Sequence, residues 1–529
     1  MASIKNTVAL SPERRKLLAL LLQKKGIAGS QPQAVSPSRA VGALPLAFNQ
    51  EGLWFLEQLD PGKAHYNIPG AVRLTGKLDV AALERSLSEI VRRHEALRTT
   101  FALHEDGTPR QVIAPPAPLP LPLIDLQTLA PAERESEALR LATADAQKPF
   151  DLAAGPLFRA QLLWLNAGEH VLLLNFHHIV ADGWTMAIFT REWRALYEAF
   201  SNDRPSPLPE LPRQYAGFAL WQREQISGED FQAQLAYWRQ QLRGSLPVTQ
   251  LPVDRPRPAV QSFRGRHQAI KLSQPLTEAL RRLARREGAT LFVTLLAAFK
   301  VLLHRGTGQN DLVVGSTFAN RNRRELQDLI GFFVNTLPLR TQLAGDLSFR
   351  ALLQRVRETV LGAAANQELP LAKLVQELQP ERDSSRNPLY QIVFDLLTPD
   401  LNPAVYGYGL SAGVTETLEL AGLKVTPLDV EYGIARFDLA VFIWDLPAGL
   451  QGAFEYSTDL FEPATIARLA ENFASLLGFI VNAPDARLRA LVEQLDATDR
   501  QQQKSSEKTY QAAVHQRLKL SKRKSILHE

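Results

Sequence analysis

The segment that most restricts the fold of this chain is a predicted buried strand followed by a polar turn and a helix. Residues 171–176 are apolar except for Asn175, which is typical of a strand covered on both faces. Residues 184–200 then follow a helical pattern. The turn between them holds four residues that suit proton transfer and close substrate approach: His177, His178, Asp182 and Gly183. The pattern therefore predicts a reactive centre at the end of a strand.

The length and composition set the broad class of the protein. A chain of 529 residues is too long for one ordinary core and predicts two or more lobes. The absence of cysteine excludes disulfides, thiolate metal sites and thiol nucleophiles. No apolar run approaches the roughly 18 residues that a membrane span needs. We therefore expect a soluble protein with no membrane span, located in the cytoplasm.

The net charge of +5 lies entirely at the C-terminal end. From Gln501 onward the chain carries seven basic and two acidic residues, so residues 1–500 are formally neutral. A neutral body gives no indication of binding to nucleic acid. The basic tail is either a solvated end or a docking helix for a partner, and the sequence leaves both interpretations open.

Strand-like runs alternate with amphipathic helices, which predicts an α/β fold. Helices are expected after Asp79, over 133–147, over 290–304 with an end at Gly306, and over 463–481 as the final helix. Further strands are expected over 312–318, 390–397, 438–445 and 450–456. The sequence shows no internal repeat. Four parts are predicted: an N-terminal helix (11–25) and linker over 1–43, an N-terminal lobe over 44–210, a C-terminal lobe over 211–495, and a basic tail over 496–529.

The histidine pair by itself has several interpretations. One histidine could be a core residue that bonds a backbone carbonyl, and the pair could also serve acid–base chemistry. A metal site is disfavoured, because adjacent strand residues face opposite sides and no HExxH pattern is present. A serine or cysteine triad is disfavoured too, since the chain has no GxSxG elbow and no cysteine.

The strand, histidine pair, glycine turn and helix resemble the HHxxxDG motif of condensation domains of non-ribosomal peptide synthetases, which belong to the chloramphenicol-acetyltransferase-like superfamily. The resemblance covers roughly residues 44–490. Ala47 stands in the opening motif where the family usually has serine. Six further segments resemble the family's other motifs in order: Pro45–Leu56, Arg93–Phe101, Tyr215–Trp221, Ile330–Thr336, Asn366–Pro370 and Arg382–Leu389.

The resemblance implies two chloramphenicol-acetyltransferase-like lobes in a V-shaped pseudo-dimer with a central tunnel. Two peptidyl carrier proteins, a donor and an acceptor, would deliver thioesters on phosphopantetheine arms, and the acceptor amine would attack the donor carbonyl. His178 is carried over as the catalytic residue, with His177 in support, while Gly183 leaves space and offers its N–H to the oxyanion.

Other residues receive structural or substrate-binding roles from the same resemblance. Asp182 is expected to hold the turn through an ion pair, with Arg321 as the first candidate partner and Arg98 as the second. Trp184, Ser316 and Asn335 are expected to line the tunnel. No metal ligand and no cofactor bound by the chain itself are implied.

The resemblance also bears on subtype and partners. The second motif, Arg93–Phe101, and the fifth motif, Ile330–Thr336, look like the subtype that joins an L-configured donor to an L-acceptor, or the starter subtype, whose donor can be an acyl-CoA. The chain lacks carrier and adenylation motifs, so we expect it to meet carriers, and an adenylation domain or a neighbouring module, as partners. We also expect a monomer that takes part in the biosynthesis of an antibiotic or other natural product. Two alternatives stay open: a catalytically silent module that recruits tailoring enzymes, and an acyltransferase acting on a soluble amine, alcohol or acyl-CoA.

Overall fold

The computed structural model describes residues 44–226, 228–381, 383–397 and 417–501. The helix expected over 11–25, the linker over 27–43 and the basic tail after Gln501 lie outside the described residues.

The strands form two six-stranded sheets and one small three-stranded sheet. Fifteen strands lie in the described residues: β1 (Leu44–Pro45), β2 (Asn67–Thr75), β3 (Thr99–Leu103), β4 (Pro109–Ile113), β5 (Leu123–Asp125), β6 (Phe158–Asn166), β7 (Glu169–His177), β8 (Gly265–Lys271), β9 (Asp311–Phe318), β10 (Asn335–Gln342), β11 (Ile392–Leu397), β12 (Leu418–Leu420), β13 (Leu423–Pro427), β14 (Leu439–Leu446) and β15 (Gly449–Ser457). The small sheet has the order β1-β4-β3.

The longest helices of each half pack on the faces of the two large sheets, and shorter ones contact other helices or the small sheet. Twelve α-helices lie in the same described part of the chain: α1 (Phe48–Leu59), α2 (Val80–Arg93), α3 (Pro131–Gln147), α4 (Gly183–Phe200), α5 (Tyr215–Gln225), α6 (Glu229–Gln241), α7 (Gln274–Arg286), α8 (Leu291–Thr307), α9 (Phe349–Ala365), α10 (Leu371–Leu378), α11 (Pro463–Asn482) and α12 (488–501).

Four strands of each large sheet repeat one topology. The N-terminal sheet has the order β12-β13-β2-β7-β6-β5, and the C-terminal sheet has the order β10-β9-β11-β14-β15-β8. In the first, β5 is parallel to β6, and the pairs β6–β7 and β7–β2 are antiparallel. In the second, β11 is parallel to β14, and the pairs β14–β15 and β15–β8 are antiparallel. Since α4 follows β7 and α11 follows β15, the structure contains a repeat that the sequence does not show.

Each sheet buries its own core. In the N-terminal half, α2 and α4 pack Leu87 and Phe189 against Phe176 of β7. In the C-terminal half, α8 and α11 pack Phe299 and Phe473 against the strands. Although α11 is long and apolar enough to cross a membrane, the buried face of α11 is that of a core helix.

One C-terminal segment joins the N-terminal sheet. Strand β13 pairs antiparallel with β2, with Val425 opposite Leu74, and β12 extends the sheet by one more strand. Leu420, Leu423 and Val425 are buried in the same cluster as residues of α2 and α4. The expected division of the lobes at residue 210 does not account for this segment, because it returns to the first sheet from far along the chain.

Most of the predicted elements are confirmed. The expected strands correspond to β9, β11, β14 and β15, and Asp79 caps α2 by accepting the Ala82 N–H at 2.9 Å. Two predictions are wrong in detail. Helix α8 continues to Thr307, because the left-handed residue that ends it is Gly308, with φ of 69°, and not Gly306. Helix α11 is not the final helix, since α12 follows it.

Candidate active site

The histidine turn is fixed by backbone hydrogen bonds at the end of β7. The N–H of His178 donates to the carbonyl of Tyr66 at 2.8 Å, on the segment that leads into β2. The N–H groups of Val180 and Ala181 donate back to the carbonyls of His177 and His178 at 3.1 and 3.3 Å. These bonds place His178 at a defined position just beyond the sheet.

The ring of His178 is held in one tautomer. Its Nδ1 lies 2.9 Å from the carbonyl oxygen of Ala181. Because a carbonyl oxygen can only accept, Nδ1 carries the hydrogen and Nε2 bears the lone pair in the neutral ring. The ring of Phe332 packs edge-on against the imidazole, with 4.8 Å between centroids. His178 therefore has its acceptor nitrogen defined by its own turn.

Burial decides the protonation state of His178. Desolvation lowers the pKa of its ring to about 3, and the positive charge of Arg436 acts in the same direction. The ring is consequently neutral at physiological pH. A neutral imidazole with a fixed Nε2 lone pair can accept a hydrogen bond from an amine and then take its proton.

His177 has a different environment from its neighbour. It is buried, and its Nδ1 accepts the N–H of Ile179 at 3.1 Å. Its ring lies between those of Tyr66 and Phe150, with centroid distances of 6.5 and 6.0 Å. Burial lowers the pKa of His177 to about 3. These contacts are those of a neutral residue that supports the turn.

Asp182 connects the turn to the C-terminal half. Its Oδ1 accepts the N–H of Thr185 at 2.9 Å and so caps α4, while its Oδ2 accepts the N–H groups of Phe333 and Val334 at 3.0 and 3.3 Å. Nη2 of Arg321 lies 3.2 Å from Oδ1, with both side chains nearly fully buried. Removing one partner of such a pair leaves an uncompensated buried charge.

Arg321 is in turn held by its own segment. Its Nη1 donates to the carbonyls of Leu326 and Leu329 at 2.7 and 2.6 Å, and its guanidinium lies 4.0 Å from the centroid of the Phe333 ring. The prediction of Arg98 as the second candidate partner of Asp182 is wrong. Arg98 ends a 3₁₀ helix over Glu95–Arg98, where it bonds the carbonyl of Ala114 and lies 3.4 Å from Glu95.

Comparison with known proteins gives the family. A sequence profile described as condensation domain matches residues 41–503. The chain belongs to the condensation-domain family. Members of this family in non-ribosomal peptide synthetases form amide bonds by acyl transfer between substrates held on carrier domains, and they work beside carrier and adenylation domains.

The condensation domain has close sequence relatives. Chondramide synthase cmdD of Chondromyces crocatus is 45% identical over 469 residues, which cover 89% of this chain and 12% of that protein. Phosphinothricin tripeptide synthetase PhsC of Streptomyces viridochromogenes is 42% identical over 485 residues, which cover 91% of this chain and 43% of that protein. The chain thus spans less than half the length of either curated relative.

Solved structures share the fold of the condensation domain. The X-domain in its complex with OxyB from teicoplanin biosynthesis has a TM-score of 0.75 and 30% identity, covering 88% of this chain and 98% of that one. The SgcC5 protein from Streptomyces globisporus, solved with a naphthyl ethanediol and sucrose, has a TM-score of 0.66 and 30% identity, covering 84% and 100%. The mixed α/β fold is therefore the chloramphenicol-acetyltransferase-like fold.

Two expected tunnel residues of the condensation domain are placed differently from the prediction. Ser316 is 2% exposed, and its hydroxyl donates to Asp395 at 3.0 Å. Asn335 is 1% exposed, and its amide donates to the carbonyls of Gln367 and Leu369 at 2.9 and 2.6 Å. Both side chains are used in bonds within the C-terminal half, so neither lines open space.

Trp184 and Gly183 lie next to the turn. The indole N–H of Trp184 donates to the carbonyl of Gln327 at 3.2 Å, which ties α4 to the C-terminal half. Gly183 is the first residue of α4, and its φ lies outside the left-handed region. Its glycine identity is thus not required by backbone torsion.

The second motif has a role that the sequence did not predict. Arg93 and His94 both bond Glu192 of α4, at 3.1 and 2.9 Å, and all three side chains are buried. Burial raises the pKa of Glu192, but the hydrogen bond from His94 and the hydrogen bonds and charge of Arg93 outweigh it and lower that pKa to about 2. Nδ1 of His94 also accepts the N–H of Ile330 at 3.3 Å. The motif therefore anchors α4 and the segment that covers His178.

The described residues contain no group of three or more histidine, aspartate or glutamate side chains placed to hold a metal ion. Sequence reasoning also missed Phe332 and Arg436, which approach His178 from distant parts of the chain. The aromatic pair at 332–333 in the fifth motif was the available signal for the first, and no local pattern marks the second.

Proposed function

We propose that this chain forms an amide bond between a carrier-bound acyl or peptidyl thioester and the amine of a carrier-bound aminoacyl acceptor. The observation that carries the proposal is the fixed tautomer of His178, in which Nδ1 lies 2.9 Å from the carbonyl oxygen of Ala181 and the lone pair of the neutral ring is on Nε2. The partners are a donor and an acceptor carrier protein with phosphopantetheine arms, together with an adenylation domain or a neighbouring module. We further propose that the chain acts in the cytoplasm as a monomer.

The proposed step is an acyl transfer. The amine nitrogen attacks the thioester carbonyl, the C–N bond forms, and the C–S bond breaks when the tetrahedral species collapses. His178 orients the amine through Nε2, accepts its proton, and passes it to the departing thiolate. Gly183 supplies the first N–H of α4, one of the four helix N–H groups without an intrahelical acceptor, for the developing oxyanion.

The magnitudes favour alignment over proton abstraction. An α-amine has a pKa of about 8, so a useful fraction is neutral at pH 7. General-base assistance is typically worth about 10²–10⁴-fold, whereas alignment of two reactants can supply about 7–11 kcal/mol. The proposed main contribution of His178 is therefore to hold the amine, with proton transfer as the smaller share.

The test is a single-turnover reaction with loaded donor and acceptor carriers. In His178→Ala we expect the rate of acyl appearance on the acceptor carrier to fall by at least about 10²-fold. The matched control is Thr458→Ala, because Thr458 follows β15 as His178 follows β7. A folded His178→Ala protein with the wild-type rate would refute the role of His178.

Two other functions are supported by the comparisons. The similarity to an X-domain that forms a complex with OxyB supports a module that binds a partner protein. The similarity to SgcC5, solved with a diol, supports an acyltransferase that uses a soluble acceptor.

Intact-protein mass spectrometry separates the three functions. Transfer between carriers supports condensation, transfer only to soluble acceptors supports the second alternative, and no transfer across a broad panel supports the binding module. The same panel, with acyl-CoA among the donors, separates the starter subtype from the subtype that joins two L-residues.

A further inference from the structure

Arg436 crosses from the C-terminal half to the strand beside the histidine turn. It lies in the loop before β14, and its Nε donates to the carbonyl of His65 at 2.8 Å. Its Nη2 donates to the carbonyl of Asn67 at 3.1 Å. One guanidinium thus bonds two backbone carbonyls that are separated by a single residue.

The residue between those carbonyls holds the catalytic turn. Tyr66 lies between His65 and Asn67, and its carbonyl accepts the N–H of His178 at 2.8 Å. The guanidinium of Arg436 is 5.9 Å from the centroid of the Tyr66 ring, and Asn67 pairs with His177 in the β2–β7 ladder. Arg436 therefore fixes the peptide groups on both sides of the one that positions His178.

The other end of Arg436 is anchored in the C-terminal sheet. Its backbone N–H bonds the buried carboxyl of Glu455 on β15, and the N–H of Ala435 donates to the carbonyl of Phe263 at 2.8 Å. The titratable groups whose pKa values Arg436 affects are His65, Tyr66, His177, His178 and Glu455. Its positive charge and its two hydrogen bonds thus act at the same place.

We propose that Arg436 is a positioning residue for the condensation reaction, which holds the Tyr66 peptide and through it the ring of His178 relative to the C-terminal half. The planar fork of a guanidinium can bond two carbonyls at once, whereas a lysine ammonium carries the charge without that geometry. The inference rests on the proposed function, because it assigns Arg436 an effect only through His178.

The test compares Arg436→Met, Arg436→Lys and a control in the single-turnover assay and in steady-state condensation, which gives kcat and KM. A displacement of about 1 Å can cost about 100-fold in rate, so we expect Arg436→Met to lose about 10–100-fold in kcat with KM for the loaded carriers unchanged. Arg436→Lys should lose rate as well, because it keeps the charge but not the fork. Arg266→Met is the control, since Arg266 and Arg436 both line one small cavity, but Arg266 pairs with Glu431 at the surface.

A second measurement detects the charge effect separately. Ring ¹⁵N spectra of His178 in the three proteins should show protonation at higher pH in Arg436→Met than in wild type, and unchanged protonation in Arg436→Lys. Melting temperatures identify any variant that fails to fold, in which case Arg436→Lys carries the rate test alone.

The outcomes separate this inference from the proposed function. Wild-type rates in folded Arg436→Lys and Arg436→Met, beside an inactive His178→Ala, overturn the role of Arg436 and leave condensation intact. A wild-type rate in His178→Ala overturns the proposed function itself. Slow Arg436 variants with normal KM and a normal Arg266→Met support the inference.

Discussion

Two turns occupy equivalent places in the two halves of this protein. One leads from β7 to α4 and the other from β15 to α11, and each connects a central antiparallel strand to a long helix. His177 and Ser457 end the two strands, and His178 and Thr458 follow them. Asp182 caps α4 where Glu462 stands before α11. The same backbone frame is therefore present twice, with the histidine pair in one copy.

The two turns differ in what covers them. Asp182 is fully buried and bonds Arg321, its own helix and the backbone at 333–334. Glu462 is about half-exposed, makes no cap bond to α11, and pairs with an equally accessible Arg255. The comparison shows that the fold supplies the turn, whereas the site depends on a segment from the other half closing over it.

The largest difference between the two turns is expected in their contribution to the free energy of unfolding. Asp182→Ala should reduce the free energy of unfolding by about 3–5 kcal/mol, because it leaves the charge of Arg321 buried and unpaired. Glu462→Ala should cost less than about 1 kcal/mol, since its partner is a solvent-exposed arginine. Urea denaturation of both variants measures the difference. Arg321→Met in the Asp182→Ala background should recover part of the loss; equal costs at the two turns would contradict the comparison.

An intermediate difference between the two turns is expected in how each affects the loss of stability at low pH. Burial lowers the pKa of His177 to about 3, whereas an unfolded histidine takes up its proton near pH 6.5. The unfolded state thus binds more protons between these values, and stability is lost as the pH falls from about 6.5 towards 3. His177→Asn, which keeps an acceptor for Ile179, should reduce the slope of stability against pH by about 1 kcal/mol per unit. Ser457→Ala should leave the slope unchanged, and an unchanged slope in His177→Asn would show that the histidine is not held neutral.

The smallest expected effect of the burial of the histidine turn is on the pH dependence of the reaction rate. Because the pKa of His178 is lowered to about 3, the ring stays neutral throughout the range in which the reaction is run. The single-turnover rate should therefore have no inflection near pH 6.5, and should rise with pH up to the pKa of the acceptor amine. An acceptor whose amine pKa is one unit lower should react about tenfold faster at pH values below both pKa values, if the intrinsic nucleophilicity is equal. An inflection that stays near pH 6.5 for both acceptors would assign the titration to the enzyme.

Local pattern was sufficient for the elements and for the centre of the site. The apolar run of β7, the cap at Asp79 and the helix after Gly183 follow from nearest-neighbour chemistry, so they were predictable from the sequence. The charge partner of Asp182 was narrowed to two arginines, and only the packing of the 321–334 segment selects Arg321.

Resemblance to the family predicted the contacts of individual side chains less well than local pattern predicted the helices and strands. Asn335 belongs to a segment that resembles a family motif, yet its amide forms hydrogen bonds inside the C-terminal half, as does the hydroxyl of Ser316, which lies outside the motifs. The predicted lobe boundary likewise could not include the return of β12 and β13 to the first sheet, because pairing over several hundred residues leaves no local pattern.

The sequence by itself determined the family, the strand, turn and helix, and the histidine that we propose as the reactive one, because these depend on residues close together in the chain. The tertiary structure decided which nitrogen of His178 accepts, which arginine neutralises Asp182, and which of two equivalent turns is covered. The physical reason is that hydrogen-bond geometry and desolvation arise from neighbours in space. Arg436, more than 250 residues from His178, becomes its neighbour only when both sheets are folded.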